Sequence, residues 1–146
     1  MNDVTLLRKQ FREHLHSVLR AMTQAMTGMP AGAQRLFVSV EAYWEACFRQ
    51  REERTQMCQA AQRFHCEADL MRMSQIFERM LASELIVCGV AQPHQLARGL
   101  GTEIRAIARA ELFAGHRLPS QRRRLLGFLQ THLELRGSSA DTAIAA

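Results

Sequence analysis

The chain is poor in the residues that break helices. Its 146 residues hold three prolines and eight glycines. It has no apolar run of about 18 residues, which excludes a membrane-spanning helix written as one hydrophobic stretch. The start, Met-Asn-Asp-Val-Thr-Leu-Leu-Arg-Lys, lacks the charged, apolar and cleavage regions of an export signal, so a cytoplasmic location is expected. Cys47, Cys58, Cys66 and Cys88 show no Cys-x-x-Cys spacing. They read as reduced thiols behaving as small hydrophobes, and no disulfide framework is expected.

Catalytic signatures are missing too. There is no Gly-x-Ser-x-Gly elbow and no thiol in an evident electropositive motif. Gly99-Leu100-Gly101 lacks the third glycine and the preceding strand of a dinucleotide fingerprint. A di-metal bundle needs a Glu-x-x-His run on each of two helices, and that pair is absent. Cys58, His65 and Cys66 lie close together, but structural zinc takes paired ligands two to four residues apart. They read as core thiols and a partly exposed histidine, with no metal. No enzyme and no cofactor are expected.

What is present is helical periodicity throughout, without sustained strand alternation. Val4, Leu7, Phe11, Leu15, Val18, Met22 and Met26 form one stripe over residues 3–26. Gly28, Pro30 and Gly32 break the chain. Leu36, Val40, Tyr43, Trp44 and Cys47 mark a second helix. Arg49 to Arg54 reads as a polar turn or exposed helix end, followed by a short helix through Met57 and Phe64. A further stripe, Leu70, Met73, Phe77, Leu81 and Leu85, runs to Cys88. Gly89 suits the left-handed helix end, and Pro93 suits the first turn of the next helix. That helix, 94–115, carries Leu96, Leu100, Ile104 and Ile107, with small residues at Ala97, Gly101 and Ala108. A last helix, 120–135, capped by Ser120, is rich in leucine. The expected architecture is all-α: an antiparallel bundle of five long helices plus a short one. One domain spans 1–136, and a disordered tail spans 137–146.

Net charge is +5, almost all from arginine, and only Arg122-Arg123-Arg124 is dense. Interleaved Glu makes a solvated helix face the simpler reading, and direct nucleic-acid binding by this chain alone is not expected. Glu13, Glu41, Glu45, Glu52, Glu53 and Glu111 read as solvated charges. Tyr43, Trp44, Phe77 and the many methionines either pack as core or line an apolar pocket between helices.

The run "MLASELIVCGVAQPHQLARGLGTEIRAIARAELFAGHRLPSQRRRLLGFLQTHL", residues 80–133, resembles the C-terminal half of TetR-family transcriptional regulators. "AGAQRLFVSVEAYWEACF" (31–48) is similar to that family's fifth helix, and "NDVTLLRKQFREHLHSVLRAM" (2–22) to its fourth. The resemblance extends from residue 2 to about 136. The family's helix-turn-helix reader would precede residue 2, and Met1 leaves no room for it. The resemblance implies a homodimer through the last two helices, at Ala97, Gly101, Ala108, Leu125, Leu126, Phe128, Leu129 and Leu133. It also implies a pocket for a small apolar effector between the first, second, fourth and fifth long helices. Met22, Tyr43, Trp44, Cys47, Phe77 and Ile104 would line it. The expected function is a sensing and dimerisation module in transcriptional regulation. The alternatives are a fragment of a full TetR-type repressor and a helical adaptor with no ligand.

Overall fold

A computed structural model describes the backbone of residues 2–145 and the side chains of residues 2–133. It is all-helical among the described residues. The helices are α1 (Asp3–Met26), α2 (Ala33–Arg49), α3 (Arg51–Arg63), α4 (Glu67–Val87), α5 (Pro93–Ala114) and α6 (Pro119–Ala145). The side chains of 134–136, and of the tail expected at 137–146, lie outside the described residues.

Local chemistry explains most of the boundaries. Asn2 caps α1, its side-chain oxygen accepting the Thr5 N–H at 2.8 Å. The polar stretch between α2 and α3 is a one-residue joint. Gln50 leaves helical geometry, yet its carbonyl already accepts from Arg54 N, so α3 begins at once. His65 closes α3 in a left-handed conformation (φ 55°). Gly89 (φ 78°) does the same for α4, and Val90 N–H reaches back to the Leu85 carbonyl at 3.1 Å. Pro93 opens α5. Ser120, expected as a cap, is instead the second residue of α6. The Leu118 N–H ahead of that helix is received by the Glu111 carboxylate at 2.8 Å.

Helix α2 runs antiparallel to α4, since Arg35 pairs with Glu84 and Tyr43 stacks on Phe77. It is also antiparallel to α1, whose His14 and Ser17 meet Gln50 at the end of α2. Two hydrophobic clusters result. The larger joins the second half of α1 to α2, α4, α5 and α6 around Trp44, Leu36, Leu85, Ile104 and Leu129. The smaller joins Leu7 and Phe11 of α1 to Met57 and Ala61 of α3 and to Cys66.

Three charges expected on solvated faces are not there. Glu111 is 1% exposed. Arg122 grips it through Nε (2.6 Å) and Nη2 (2.7 Å) and reaches Glu45 through Nη1 (2.6 Å). Arg117 closes the network with two 2.9 Å bonds to Glu45. Arg122 also lies over the Trp44 ring, and Arg117 over Phe48. Arg122 is thereby removed from the basic run, while Arg123 and Arg124 stay exposed.

Glu111→Ala should cost about 3 kcal/mol or more in urea denaturation, because a buried charge loses its partner. Arg124→Ala should stay within about 0.5 kcal/mol. Hydrogen bonds from Arg117, then Arg122, hold the Glu45 carboxyl at about 2 against an ordinary 4.5. Its contribution is present above 4.5 and is lost as pH falls towards 2, because the unfolded chain takes up that proton first. Glu45→Gln should flatten stability against pH across that window.

Candidate functional site

The two clusters do not meet everywhere. Between them lies a cavity of about 600 Å³, within the range of small-molecule sites. Members of both clusters line it: Val18, Tyr43 and Phe77 from the larger, Met57, Leu70 and Met73 from the smaller. Leu15 and Leu19 of α1 face the same space, which explains why these stripe residues stay half-exposed. Tyr43 and Phe77 form a flat wall, with ring centroids 4.3 Å apart and planes 18° apart. Arg105, Arg109 and the exposed Phe113 of α5 border it as well.

One side of the wall is polar. Arg54 Nη1 lies 3.3 Å from His14 Nε2 and 3.0 Å from Cys47 Sγ. A guanidinium only donates, so His14 Nε2 accepts and Nδ1 carries the proton, which it gives to Gln50 Oε1 at 2.7 Å. The Gln50 amide then donates to Ser17 Oγ. A one-way chain of hydrogen bonds thus runs from α3 through α1 to the α2–α3 joint and back to α1. Burial, then the charge of Arg54, holds His14 at about 4, and the ring is neutral at pH 7. Burial also raises the Cys47 thiol and pushes the Tyr43 hydroxyl well above its ordinary range. Arg54 Nε is sealed from solvent without a hydrogen-bond partner.

Of the six expected lining residues, Tyr43 and Phe77 border the cavity. Met22, Trp44, Cys47 and Ile104 are buried behind it in the larger cluster. Trp44 Nε1 donates to the Ile104 carbonyl at 3.0 Å, so α2 and α5 pack directly at that level. The open space lies instead beneath α3. Sequence reasoning missed His14 and Arg54, and left Met57 among the methionines that either pack as core or line a pocket. His14 had a signal, because it continues the stripe of Leu7, Phe11 and Val18. Arg54 had a weaker one, two turns beyond Cys47.

Ala97, Gly101, Ala108, Leu129 and Leu133 are covered by the chain's own helices. A Cβ at Gly101 would lie 2.9 Å from Glu78 Cγ, so the close approach there is with α4. Leu125 and Leu126 are half-buried, and Phe128 is 60% exposed. Leu96, Gly99, Leu125, Phe128 and His132 line an open groove of about 630 Å³ between α5 and α6.

Cys58 is exposed, Cys66 is buried, and His65 forms the left-handed end of α3. A single Glu-x-x-His run does occur on α1, but Glu13 and His16 are both exposed. Among the described residues no three His, Cys, Asp or Glu side chains come together as a metal site, and no helix is long and apolar enough to cross a membrane. Comparison with protein families, with curated proteins and with solved structures gives no match to this chain.

Stability should fall as pH drops from 6.5 towards 4. The unfolded chain protonates His14 near its ordinary value, whereas the folded chain resists until about 4. Arg54 opposes that proton, while Gln50 and the more distant Glu53 favour it. In pH-dependent urea melts His14→Gln, which keeps a donor and an acceptor, should lose most of this slope. An unchanged slope would place the titrating group elsewhere.

Proposed function

We propose that the chain is a small-molecule-sensing and dimerisation module, similar in role to the regulatory half of TetR-family transcriptional regulators. The observation that carries the sensing half is the apolar cavity between the two clusters. A helical adaptor without a ligand has no use for 600 Å³ of space beside its core, since unfilled volume lowers stability. The polar groups favour binding over chemistry. His14 is a weak base, and the Cys47 thiol is shifted away from its nucleophilic form.

In this reading the effector touches α1 directly, through Leu15, Val18 and Leu19. A ligand that prefers one placement of α1 over another shifts the population towards it. Helix α1 then serves as the output lever.

The dimerisation half rests on the α5–α6 groove. Gly99 sits inside α5, where glycine costs about 1 kcal/mol relative to alanine, and among the described residues nothing beyond its own helix backbone and chain neighbours lies within 4 Å of a Cβ placed there. An exposed Phe128 shares the same groove. A second copy, bringing its own α6 against Gly99, covers both at once.

Two measurements test the two halves separately. A thermal-shift screen of hydrophobic small molecules should find a binder raising Tm by several degrees at saturation. Leu70→Trp, which fills the cavity, should abolish that response while the protein stays folded. Light scattering at micromolar concentration should give a dimer, and Phe128→Glu should give a monomer with an unchanged helical spectrum. A wild-type monomer removes the dimerisation half and leaves the sensing half standing.

A further inference from the structure

We infer that the cavity takes an amphipathic monoanion, a carboxylic acid with an apolar body, whose carboxylate pairs with the Arg54 guanidinium. The inference rests on the sensing reading and names the class of ligand.

It comes from comparing arginines. Three of the half-buried guanidiniums meet a carboxylate. Arg122 has Glu111 and Glu45, Arg105 has Glu78 at 2.9 Å, and Arg35 has Glu84 at 2.8 Å. Arg51 lacks one and is turned instead onto the Phe48 carbonyl and ring; Arg54 also lacks one, and it lines the cavity. No carboxylate among the described residues lies within 4.0 Å of Arg54. Its neighbours are neutral: His14, Cys47 and the Tyr43 hydroxyl. Nε is sealed with no partner. The guanidinium is among the groups that line the cavity, beside the Tyr43 hydroxyl. An unpaired buried cation is costly, and its cost is relieved when a carboxylate arrives, since such charge-assisted bonds are the strong ones.

The count of charges sets the count on the ligand. Arg105 has a sealed Nη1 without a partner, but its charge is paired with Glu78 at 2.9 Å. Arg109 is exposed and folds over the Phe113 ring, 5.7 Å from its centroid. Glu67 lines the rim and is exposed. One uncompensated positive charge therefore faces the interior, which suits one negative charge rather than a phosphate dianion. The rest of the lining, Leu15, Val18, Leu70, Met73 and the Tyr43–Phe77 wall, accepts the apolar body.

The test is calorimetric titration of the whole chain with decanoate, decanol and decyltrimethylammonium, three probes with one tail and different heads. Decanoate should bind at least about tenfold more tightly than decanol, and the ammonium should bind most weakly. Arg54→Met should erase the preference for decanoate over decanol, and Arg54→Lys should keep part of it. If Arg54→Met does not fold, the ranking of the three probes on the unmodified protein decides alone. Decanol binding as well as decanoate overturns the anion assignment and leaves the sensing reading intact. Binding of none of the three removes the cavity as an amphiphile site, and the anion assignment with it.

Discussion

The ion network around Glu111 sets the arrangement of the other elements. A carboxylate that is 1% exposed sits on the inner face of α5, one turn past Ile107. It tolerates burial because Arg122 meets it with two bonds and the Leu118 N–H adds a third. The same arginine reaches across to Glu45 on α2 and covers Trp44. Helices α2, α5 and α6 are therefore joined at one end of the bundle, and the Trp44–Ile104 hydrogen bond continues the seam. With α2 and α5 in direct contact, no volume remains between them at that level. The unfilled space lies on the other side, where α3 crosses beneath α1 and α4.

That geometry makes α3 the element that separates a packed bundle from a hollow one. Its amphipathic face is narrow, with Met57 and Ala61 as its buried residues. It anchors to Leu7 and Phe11 and leaves Leu15 and Leu19 uncovered. Arg54 sits where α3 passes the larger cluster. The chain compensates Arg122, Arg105 and Arg35 with carboxylates in their own surroundings, whereas the guanidinium at Arg54 meets the neutral His14 and Cys47 beside the cavity.

The helices were legible in the sequence because their stripes are long and their ends are marked by Gly28, Gly89, Pro93 and Gly115. The position of the cavity was not. Periodicity tells which face of a helix is buried and leaves open which helix covers it. Trp44 and Ile104 were placed on inward faces, and they are inward, but they meet each other instead of enclosing space. Glu111 was legible in principle, since it follows Ile104 and Ile107 on the buried stripe. It was read as solvated because a carboxylate among leucines and isoleucines becomes reasonable only once its partner is known. Arg122 lies eleven residues away, beyond a loop. Gly101 shows the same limit. Its small size was read as room for a partner helix, and the helix that uses that room is α4, through Glu78.

The Arg54 chain of hydrogen bonds bears on how a ligand in the proposed site would be felt elsewhere. Arg54 donates to His14, His14 to Gln50, and Gln50 to Ser17. Two members belong to α1 and one is the joint between α2 and α3. A carboxylate drawing Arg54 towards the cavity weakens the donor that holds His14 in its tautomer. The neutral ring then loses its reason to present Nδ1–H to Gln50, and the joint loses one of its ties to α1. Coupling of this kind needs no long path, because the element that lines the cavity, α1, is also the element held by the chain. A ligand without the negative charge would fill the same volume and leave the chain intact. Occupancy and signal would then be separable properties of one pocket, distinguished by the head of the ligand and not by its tail.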